Sequence, residues 1–159
     1  MSVNEIVHHT RDLLAGWELE SRQPTENRVD VPLPVAQLRE VAERLSAQWG
    51  YLIAITGLDN GPEDGQFEVL YHFGQGPVVL TLRVLIPRMG GVLPSLSELV
   101  PAAADYEREL REMFGITIEG LDAPPFLFLP DDWPTDVYPL RKDFEPPEKP
   151  AAKSLGEAL

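Results

Sequence analysis

The chain has 159 residues, of which 43% are hydrophobic and 25% are charged, and this composition is typical of one folded globular domain. Its formal net charge of −13 disfavours binding to nucleic acid or directly to anionic lipid headgroups, because the field of the protein repels both. The sequence contains no cysteine, which excludes disulfides, thiolate zinc sites, catalytic thiols and the thiolate ligands of ordinary iron–sulfur clusters. We therefore expect no cofactor on this chain.

The sequence also gives an expectation about membranes. No stretch reaches the roughly 20 apolar residues that a spanning helix needs, since Arg83 interrupts the longest apolar run, Val78 to Pro87. The N-terminus carries Glu5 and Asp12 and lacks the apolar core of a signal peptide. We expect a cytoplasmic chain whose attachment to a membrane, if any, is peripheral.

Two amphipathic helices are predicted in the N-terminal third. Ser2 and Glu5 have the spacing of a capping box, and apolar residues follow at helical intervals as far as Trp17. The second helix lies between Pro34, which suits a first helical turn, and Gly50, which ends the apolar pattern.

Four strands are predicted around and after the second helix. In the first, Val29 and Val31 alternate with polar residues, and Pro32 indicates a position at the edge of a sheet. The other three are apolar runs separated by short turn sequences, which favours an antiparallel meander; they begin at Tyr51, Phe67 and Val78. The sequence thus predicts an α+β fold with a mainly antiparallel sheet of about four strands and helices packed on one face.

The pattern changes from Arg88 onward. Ser95 and Glu98 have the spacing of a second capping box, and a charged helix is predicted from Asp105 to its stop at Gly115. Beyond residue 120 prolines become frequent and helical periodicity disappears. We therefore divide the chain into an α+β domain, residues 1–120, and an extended proline-rich docking tail, residues 121–159.

The charged helix has two interpretations. Glu107 and Arg111, like Arg108 and Glu112, stand four residues apart, where opposite charges meet on a helix surface and form weak ion pairs. Alternatively, Glu109 and Glu112 form a pair of carboxylates for proton transfer, because two nearby acids raise one pKa. The spacing favours the solvated helix.

No enzymatic or metal site is predicted. His8 and His9 are adjacent and point about 100° apart on a helix, so they cannot share a metal ion as a pair four residues apart can. Asp131 and Asp132 have the oxygen ligands that magnesium prefers, but turn formation and capping are favoured for them. Nucleophile-elbow, Walker and dinucleotide-binding motifs are missing from the sequence.

The proline-rich tail contains large apolar side chains in a sequence that forbids a long helix or a central strand. Phe126 to Leu129, Trp133, Tyr138 and Leu140 need a surface on which to be buried. They can pack back over the domain, or they can enter a groove of a partner, where prolines reduce the entropy lost on binding. The sequence alone leaves both possibilities open.

Two segments of the C-terminal half resemble a known family. The sequence PSLSELVPAAADYERELREMFGITIEG, residues 94–120, followed by LPDDWPTDVYPLRKDF, residues 129–144, resembles the 30 kDa subunit family of complex I-type NADH:quinone oxidoreductases. The same domain recurs in membrane-bound, energy-converting nickel–iron hydrogenases. The motifs ERE, MFGI, PDDW and PLRKD stand in the order and spacing of the family, and the resemblance covers Val29 to Phe144.

The resemblance implies a non-catalytic, hydrophilic scaffold subunit of an ion-translocating oxidoreductase complex, peripheral on the cytoplasmic side of the cell membrane. Its implied partners are the large catalytic subunit, which carries a quinone site or a nickel–iron centre, and a neighbouring small iron–sulfur subunit. The iron–sulfur clusters would lie in those partners. The residues assigned on this basis to the intersubunit surface are Glu107, Arg108, Glu109, Phe114, Gly115, Asp132, Trp133, Tyr138, Pro139, Leu140, Arg141, Lys142 and Asp143.

Three departures from the family pattern bear on the choice of branch. The stretch GLDAPPF, residues 120–126, lacks a histidine and two arginines that are usual in complex I members. In addition, Glu112 stands where aspartate is usual in the family, and Tyr138 stands where histidine is common. These differences favour the hydrogenase-type branch over the quinone branch. An alternative of another class is a free-standing assembly or binding module.

Overall fold

The computed structural model describes residues 1–17, 19–124 and 126–146. Its helices are α1 (Val3–Leu14), α2 (Leu38–Gln48) and α3 (Ala103–Phe114), with short 3-10 turns at Ala15–Trp17 and Val35–Gln37. Its strands are β1 (Arg22–Thr25), β2 (Arg28–Pro32), β3 (Tyr51–Asp59), β4 (Gln66–Gln75), β5 (Val78–Pro87), β6 (Val92–Pro94) and β7 (Thr117–Glu119). None of the helices in these described ranges has the length and apolarity needed to cross a membrane.

The strands form two sheets. The main sheet has five strands in the order β1-β2-β5-β4-β3, and all its pairs are antiparallel except β2 with β5. A second, two-stranded parallel sheet joins β6 to β7, so the chain segments before and after α3 lie side by side. The predicted α+β fold with a mainly antiparallel sheet is confirmed.

One core lies between the main sheet and the helices. Along β4 the alternate residues Phe67, Val69, Tyr71 and Phe73 are buried, and they join one apolar cluster with buried residues of all three helices. Burying a large apolar side chain in this way contributes about 1.5–3 kcal/mol. Because the helices cover one face of the sheet, the intervening strand residues form a second face that no described helix covers, and we call it the uncovered face.

The position of β2 differs from the prediction. Instead of lying at an edge, β2 is paired with β1 on one side and with β5 on the other. Its proline is compatible with this interior position because Pro32 is the last residue of the strand and removes no donor from the middle of the ladder. The edge of the sheet next to β2 is formed by β1, an additional strand whose residues are all exposed. Its lack of apolar alternation is the reason that the sequence pattern did not reveal it.

The two predicted capping boxes have different outcomes. At α1 the box is confirmed, since the Ser2 amide donates to the Glu5 carboxylate (2.6 Å) and the Glu5 amide donates to Ser2 Oγ (3.3 Å). The box at Ser95 and Glu98 is wrong, because no helix begins there. Ser95 Oγ instead accepts from the Ser97 amide and donates to a carboxylate of α3, Glu107, over 2.6 Å.

Candidate interaction surface on helix α3 and the C-terminal strap

Helix α3 is fixed to the sheet by one stripe of inward-facing residues, Ala103, Glu107, Leu110 and Phe114. The stripe lies so close to β3 that a Cβ atom at Gly57 would be 2.6 Å from Phe114 Cε2 and 2.7 Å from Leu110 Cδ2. The Phe114 ring also meets the edge of the Phe67 ring, with 5.8 Å between centroids. This packing sets the orientation of the remaining α3 side chains.

Glu107 is the one carboxylate of this stripe and is fully buried. It accepts hydrogen bonds from the Leu96 amide and Ser95 Oγ, each at 2.6 Å. Burial raises the pKa of Glu107 above its ordinary value, although both hydrogen bonds oppose that shift. The predicted solvated ion pair of Glu107 with Arg111 is therefore wrong, because the carboxylate faces the core and ties α3 to the segment after β6.

Glu112 binds the tail of the same chain. We call the described tail residues, 121–124 and 126–146, the C-terminal strap. The Glu112 carboxylate accepts from three consecutive strap amides, those of Leu127, Phe128 and Leu129, each at 2.9 Å. Burial disfavours the charge, but these bonds and nearby Arg108 outweigh it and hold the pKa of Glu112 below its ordinary value.

This geometry also decides between the two interpretations of the charged helix. A carboxyl group that shuttles protons near neutral pH needs a raised pKa, whereas that of Glu112 is lowered and its oxygens are occupied by amides. The paired-carboxylate hypothesis for Glu109 and Glu112 is thus disfavoured. The surface ion pair of Arg108 with Glu112 is also wrong as predicted, since Glu112 is buried against the strap.

Two arginines of α3 bind strap carbonyl groups. Arg108 donates to the Phe126 carbonyl at 2.6 Å and to Asp105 at 3.2 Å, and Arg111 donates to the carbonyls of Ala123 and Pro124. An extended segment has unpaired backbone carbonyls that must otherwise be solvated. Guanidinium donors from α3 satisfy them here, so α3 holds the strap by charge-assisted hydrogen bonds.

The strap is fixed a second time at the C-terminal end of α3. The Leu140 amide donates to the Met113 carbonyl at 3.1 Å, and Arg141 Nε donates to the Phe114 carbonyl at 2.7 Å, which satisfies acceptors that the helix end leaves free. The Arg141 guanidinium lies 4.3 Å from the Tyr138 ring centroid and 5.3 Å from that of Phe67. Arg141 therefore stabilises this end of the chain's own fold.

A buried ion pair holds the last described part of the strap. Asp59, at the end of β3, accepts from Arg88 Nε at 3.1 Å, from the Gly61 amide and from the Lys142 amide at 2.8 Å. Arg88 also pairs with Asp143. Burial disfavours the Asp59 charge, but Arg88 and the two amides outweigh it and hold the pKa of Asp59 below its ordinary value. The α+β body and the strap thus share one charge cluster.

The strap nevertheless leaves apolar groups exposed. Phe128 is 63% exposed and Leu140 is 50% exposed, at the two places where the strap backbone is bound to α3. Residues of α3 and the strap also form an open groove of about 250 Å³, whose lining includes Arg111, Phe126, Leu129, Trp133, Val137 and Tyr138. Exposed aromatic and aliphatic groups on a fixed backbone are typical of protein–protein contact sites.

Residues 31–150 match the family described as "Respiratory-chain NADH dehydrogenase, 30 Kd subunit". The chain belongs to this family. The resemblance of the ERE, MFGI, PDDW and PLRKD motifs is thereby confirmed.

Two relatives are named as subunits of a formate hydrogenlyase and of a membrane-bound hydrogenase. Formate hydrogenlyase subunit 5 of Escherichia coli is 36% identical over 80% of this chain, which spans only 23% of that relative. The membrane-bound hydrogenase subunit beta of Pyrococcus furiosus is 34% identical over 76% of this chain and 70% of the relative.

A solved chain of the membrane-bound sulfane sulfur reductase, an archaeal respiratory membrane complex, aligns with a TM-score of 0.78 and 24% identity, covering 89% of this chain and 86% of that chain. At that identity the likeness shows the fold.

The structure separates the family residues assigned to the intersubunit surface into two groups. Glu107 and Phe114 are buried in the core, whereas Gly115 and Arg141 are half-buried where the strap meets the end of α3. The others are exposed or half-buried: Arg108, Glu109, Asp132, Trp133, Tyr138, Pro139, Leu140, Lys142 and Asp143. Membership of an intersubunit surface stays a prediction for all of them, and residues 125 and 147–159 of the predicted tail lie outside the described residues.

Sequence reasoning missed the role of several residues. Asp59 lies on the inward face of β3, after Leu52, Ile55 and Gly57. A carboxylate that is buried at such a position requires a partner, and here the partner is Arg88. That signal is visible in the alternation of the strand. Asp131 and Asp132 are exposed, and the part of the chain that the structure describes contains no group of three or more acidic or histidine side chains placed to hold a metal ion.

Proposed function

We propose that this chain is a non-catalytic, hydrophilic subunit of a membrane-bound, ion-translocating oxidoreductase complex and that it docks on the large catalytic subunit. The family match supports this proposal, as do the names of relatives that are components of hydrogenases and of a formate hydrogenlyase. The absence of cysteine is consistent with iron–sulfur clusters in partner subunits, the large one and a neighbouring small one. The chain itself would contribute shape and contacts.

The observation that carries the docking proposal is the exposure of Phe128 and Leu140 on a backbone that α3 already holds in place. Ordering a free tail on binding costs conformational entropy, whereas a strap bound to α3 before association has lost most of that freedom. We infer that the strap presents these side chains, together with the groove formed by α3 and the strap, to the large subunit. In this arrangement the strap packs on its own domain and contacts the partner with its outer side.

Arg141 is not the best residue with which to test docking. Its replacement by glutamate would remove the hydrogen bond to the Phe114 carbonyl and the contacts with two rings, so it would also disturb the chain's own fold. Leu140→Glu and Phe128→Glu change exposed side chains instead. Ala47→Glu, on the exposed side of α2, is the matched control because it adds the same charge away from the strap.

The test is affinity purification of the tagged full-length chain from detergent-solubilised membranes, with the amount of co-purified cluster-bearing large subunit as the readout. We expect near-stoichiometric recovery with the wild type and Ala47→Glu, and at least about tenfold less with Phe128→Glu or Leu140→Glu, equivalent to about 1.4 kcal/mol or more. Recovery of the wild type only as a free monomer overturns the subunit proposal. Unchanged recovery of both strap variants overturns the proposed docking surface.

We favour the hydrogenase-type branch because the stretch GLDAPPF lacks the histidine and arginines usual in complex I members. The second candidate is the corresponding 30 kDa subunit of an NADH:quinone oxidoreductase, which the family description itself favours. Nickel in the purified complex supports the first branch. A nickel-free complex that reduces a quinone with NADH supports the second.

A further inference from the structure

The face of the main sheet that is not covered by helices carries a group of exposed apolar side chains. Leu58 and Leu85 flank Glu68 in one cross-strand row and are 41% and 51% exposed. Gly74 follows the buried Phe73, so its Cβ position lies on the uncovered face, where it would meet Ile53 Cδ1 at 2.9 Å. An antiparallel sheet that faces only water usually carries polar residues at such positions.

Tyr51 belongs to the same surface. Its ring carbon Cζ lies 3.4 Å from the Cβ position at Gly74, and Tyr51 and Ile53 are 66% and 40% exposed. Four large apolar side chains of β3 and β5 are therefore exposed on one side of the sheet: Tyr51, Ile53, Leu58 and Leu85. They form two pairs, Tyr51 with Ile53 beside Gly74 and Leu58 with Leu85 on either side of Glu68, and grouped exposed apolar side chains mark interaction sites more often than single exposed residues do.

The charges of this face differ from those of the whole protein. Arg83 pairs with Asp30 at 3.1 Å and Glu68 at 2.8 Å, whereas the described contacts give the side chains of Arg22 and Arg28 no ion pair or hydrogen bond. The positive charges of Arg22, Arg28 and Arg83 and the negative charges of Asp30 and Glu68 sum to +1, whereas the net charge of the whole chain is −13. A cleft of about 370 Å³ lies here, lined by Arg22, Asp30, Pro32, Glu68, Arg83 and Leu85.

The centre of the face is polar and well defined. His72 lies between Thr81 and Thr56, with 3.0 Å from Nδ1 to Thr81 Oγ1 and 3.4 Å from Nε2 to Thr56 Oγ1. Burial, with Arg28 and Arg83 nearby, lowers the pKa of His72 despite the opposing effect of Asp30, so the imidazole adds no positive charge near neutral pH. The unpaired positive charge of the face thus comes from Arg22 and Arg28.

We propose that this uncovered sheet face is a second protein-docking surface, for a partner segment with carboxylates opposite Arg22 and Arg28 and apolar side chains over Tyr51, Ile53, Leu58 and Leu85. Charge complementarity selects this occupant, because the two arginines are the charges of the face that have no ion-pair partner among the described residues. A second copy stacked on the same face would bring two net positive surfaces together. The proposal goes beyond the docking of the strap, since it uses the opposite side of the sheet from α3.

The test is site-specific photocrosslinking in cells that produce the full-length chain together with its membrane complex. A benzophenone amino acid replaces Leu85 on the uncovered face, Leu140 on the strap or, as a negative control, Ala47 on α2. Crosslinked partner peptides are identified by mass spectrometry. The Leu85 probe is then repeated with Arg22→Gln and Arg28→Gln together, which remove two charges that have no described partner.

We expect the Leu85 probe to crosslink to a segment of another protein that is rich in acidic and apolar residues, and to lose most of that product in the double arginine variant. Crosslinking of Leu140 without any product from Leu85 overturns this inference while leaving the docking of the strap intact. A product joining two copies of this chain, or one that the arginine changes leave undiminished, overturns the stated occupant. A Leu85 product without a Leu140 product overturns strap docking instead.

Discussion

The phenol ring of Tyr138 lies against the backbone of Gly115, in the space that a side chain at residue 115 would occupy. Gly115 ends α3 with φ of 70°, in the left-handed region, and its amide donates to the Arg111 carbonyl at 3.0 Å. Glycine is thus needed for two reasons, its backbone conformation and the approach of the strap. The end of α3 and the position of the strap depend on the same residue.

Gly115→Ala should destabilise the protein by more than Gly65→Ala. Gly65 has φ of 69° and nothing within 4 Å of its Cβ position, so its replacement measures the backbone cost alone, about 1–2 kcal/mol. At Gly115 the contact with Tyr138 adds to that cost. Urea unfolding of both variants gives the comparison, and Tyr138→Ala in the Gly115→Ala background should recover part of the excess. Equal losses for the two glycine variants would contradict the importance of the ring contact.

Glu112→Gln should release the first part of the strap. The amide side chain has one acceptor oxygen where the carboxylate serves three backbone donors, so we expect a loss of about 1.5–3 kcal/mol and faster hydrogen exchange at Leu127, Phe128 and Leu129. Glu109→Gln, on the same helix without a described side-chain hydrogen bond, is the control and should stay within about 0.5 kcal/mol of wild type.

The same variant has a defined pH dependence. Because the pKa of Glu112 is lowered in the folded protein, its stabilisation is fully present above the ordinary value of 4.5 and is lost as the pH falls through the folded pKa. The difference in unfolding free energy between wild type and Glu112→Gln should therefore shrink below about pH 4.5. A difference that grows on acidification would show that the three amides are not the main stabilising contacts.

Local sequence patterns predicted α1 to α3 and β2 to β5 because the signals of these elements are local, whereas β1, β6 and β7 were not predicted. The box of Ser2 and Glu5 and the stop at Gly115 depend on neighbours within one helical turn. β1 was not predicted because a short, fully exposed edge strand carries no apolar alternation, and its pairing with β2 is set by the turn between them. The interior position of β2 depends on its parallel pairing with distant β5.

The candidate site was harder to predict because its contacts join residues far apart in sequence. The helical spacing of Ala103, Glu107, Leu110 and Phe114 indicates that Glu107 lies on the buried side of α3. It was predicted to lie on the solvated side because its side chain is charged. No local pattern gives Ser95 as its partner, or brings the Lys142 amide to Asp59. The family motifs located the important segments without revealing that their residues bind one another.

Asp59→Asn should cause the largest loss of stability among the charge-neutralising variants. It leaves Arg88, whose side chain is 8% exposed, without its buried partner, and breaking such a pair costs about 3–5 kcal/mol. Asp143→Asn removes only the half-exposed partner of Arg88, whose charge is screened by solvent, and should cause a smaller loss than Asp59→Asn. Urea unfolding of the two variants tests this order, and a larger loss for Asp143→Asn would contradict it.

Glu107→Gln should stabilise the protein at mildly alkaline pH. The folded pKa of Glu107 is raised above 4.5, so folding favours the protonated form, and stability falls as the pH rises from 4.5 through the folded pKa. Glutamine keeps an acceptor for the Leu96 amide and carries no buried charge. Its advantage over wild type should therefore grow as the pH rises from 4.5 through the folded pKa, as measured by urea unfolding. Glu107→Leu is the control for the hydrogen bonds, since it leaves the Leu96 amide unsatisfied and should cost about 1–3 kcal/mol throughout this pH range. If Glu107→Gln is less stable than wild type at about pH 8, the buried carboxylate stabilises the fold as an anion.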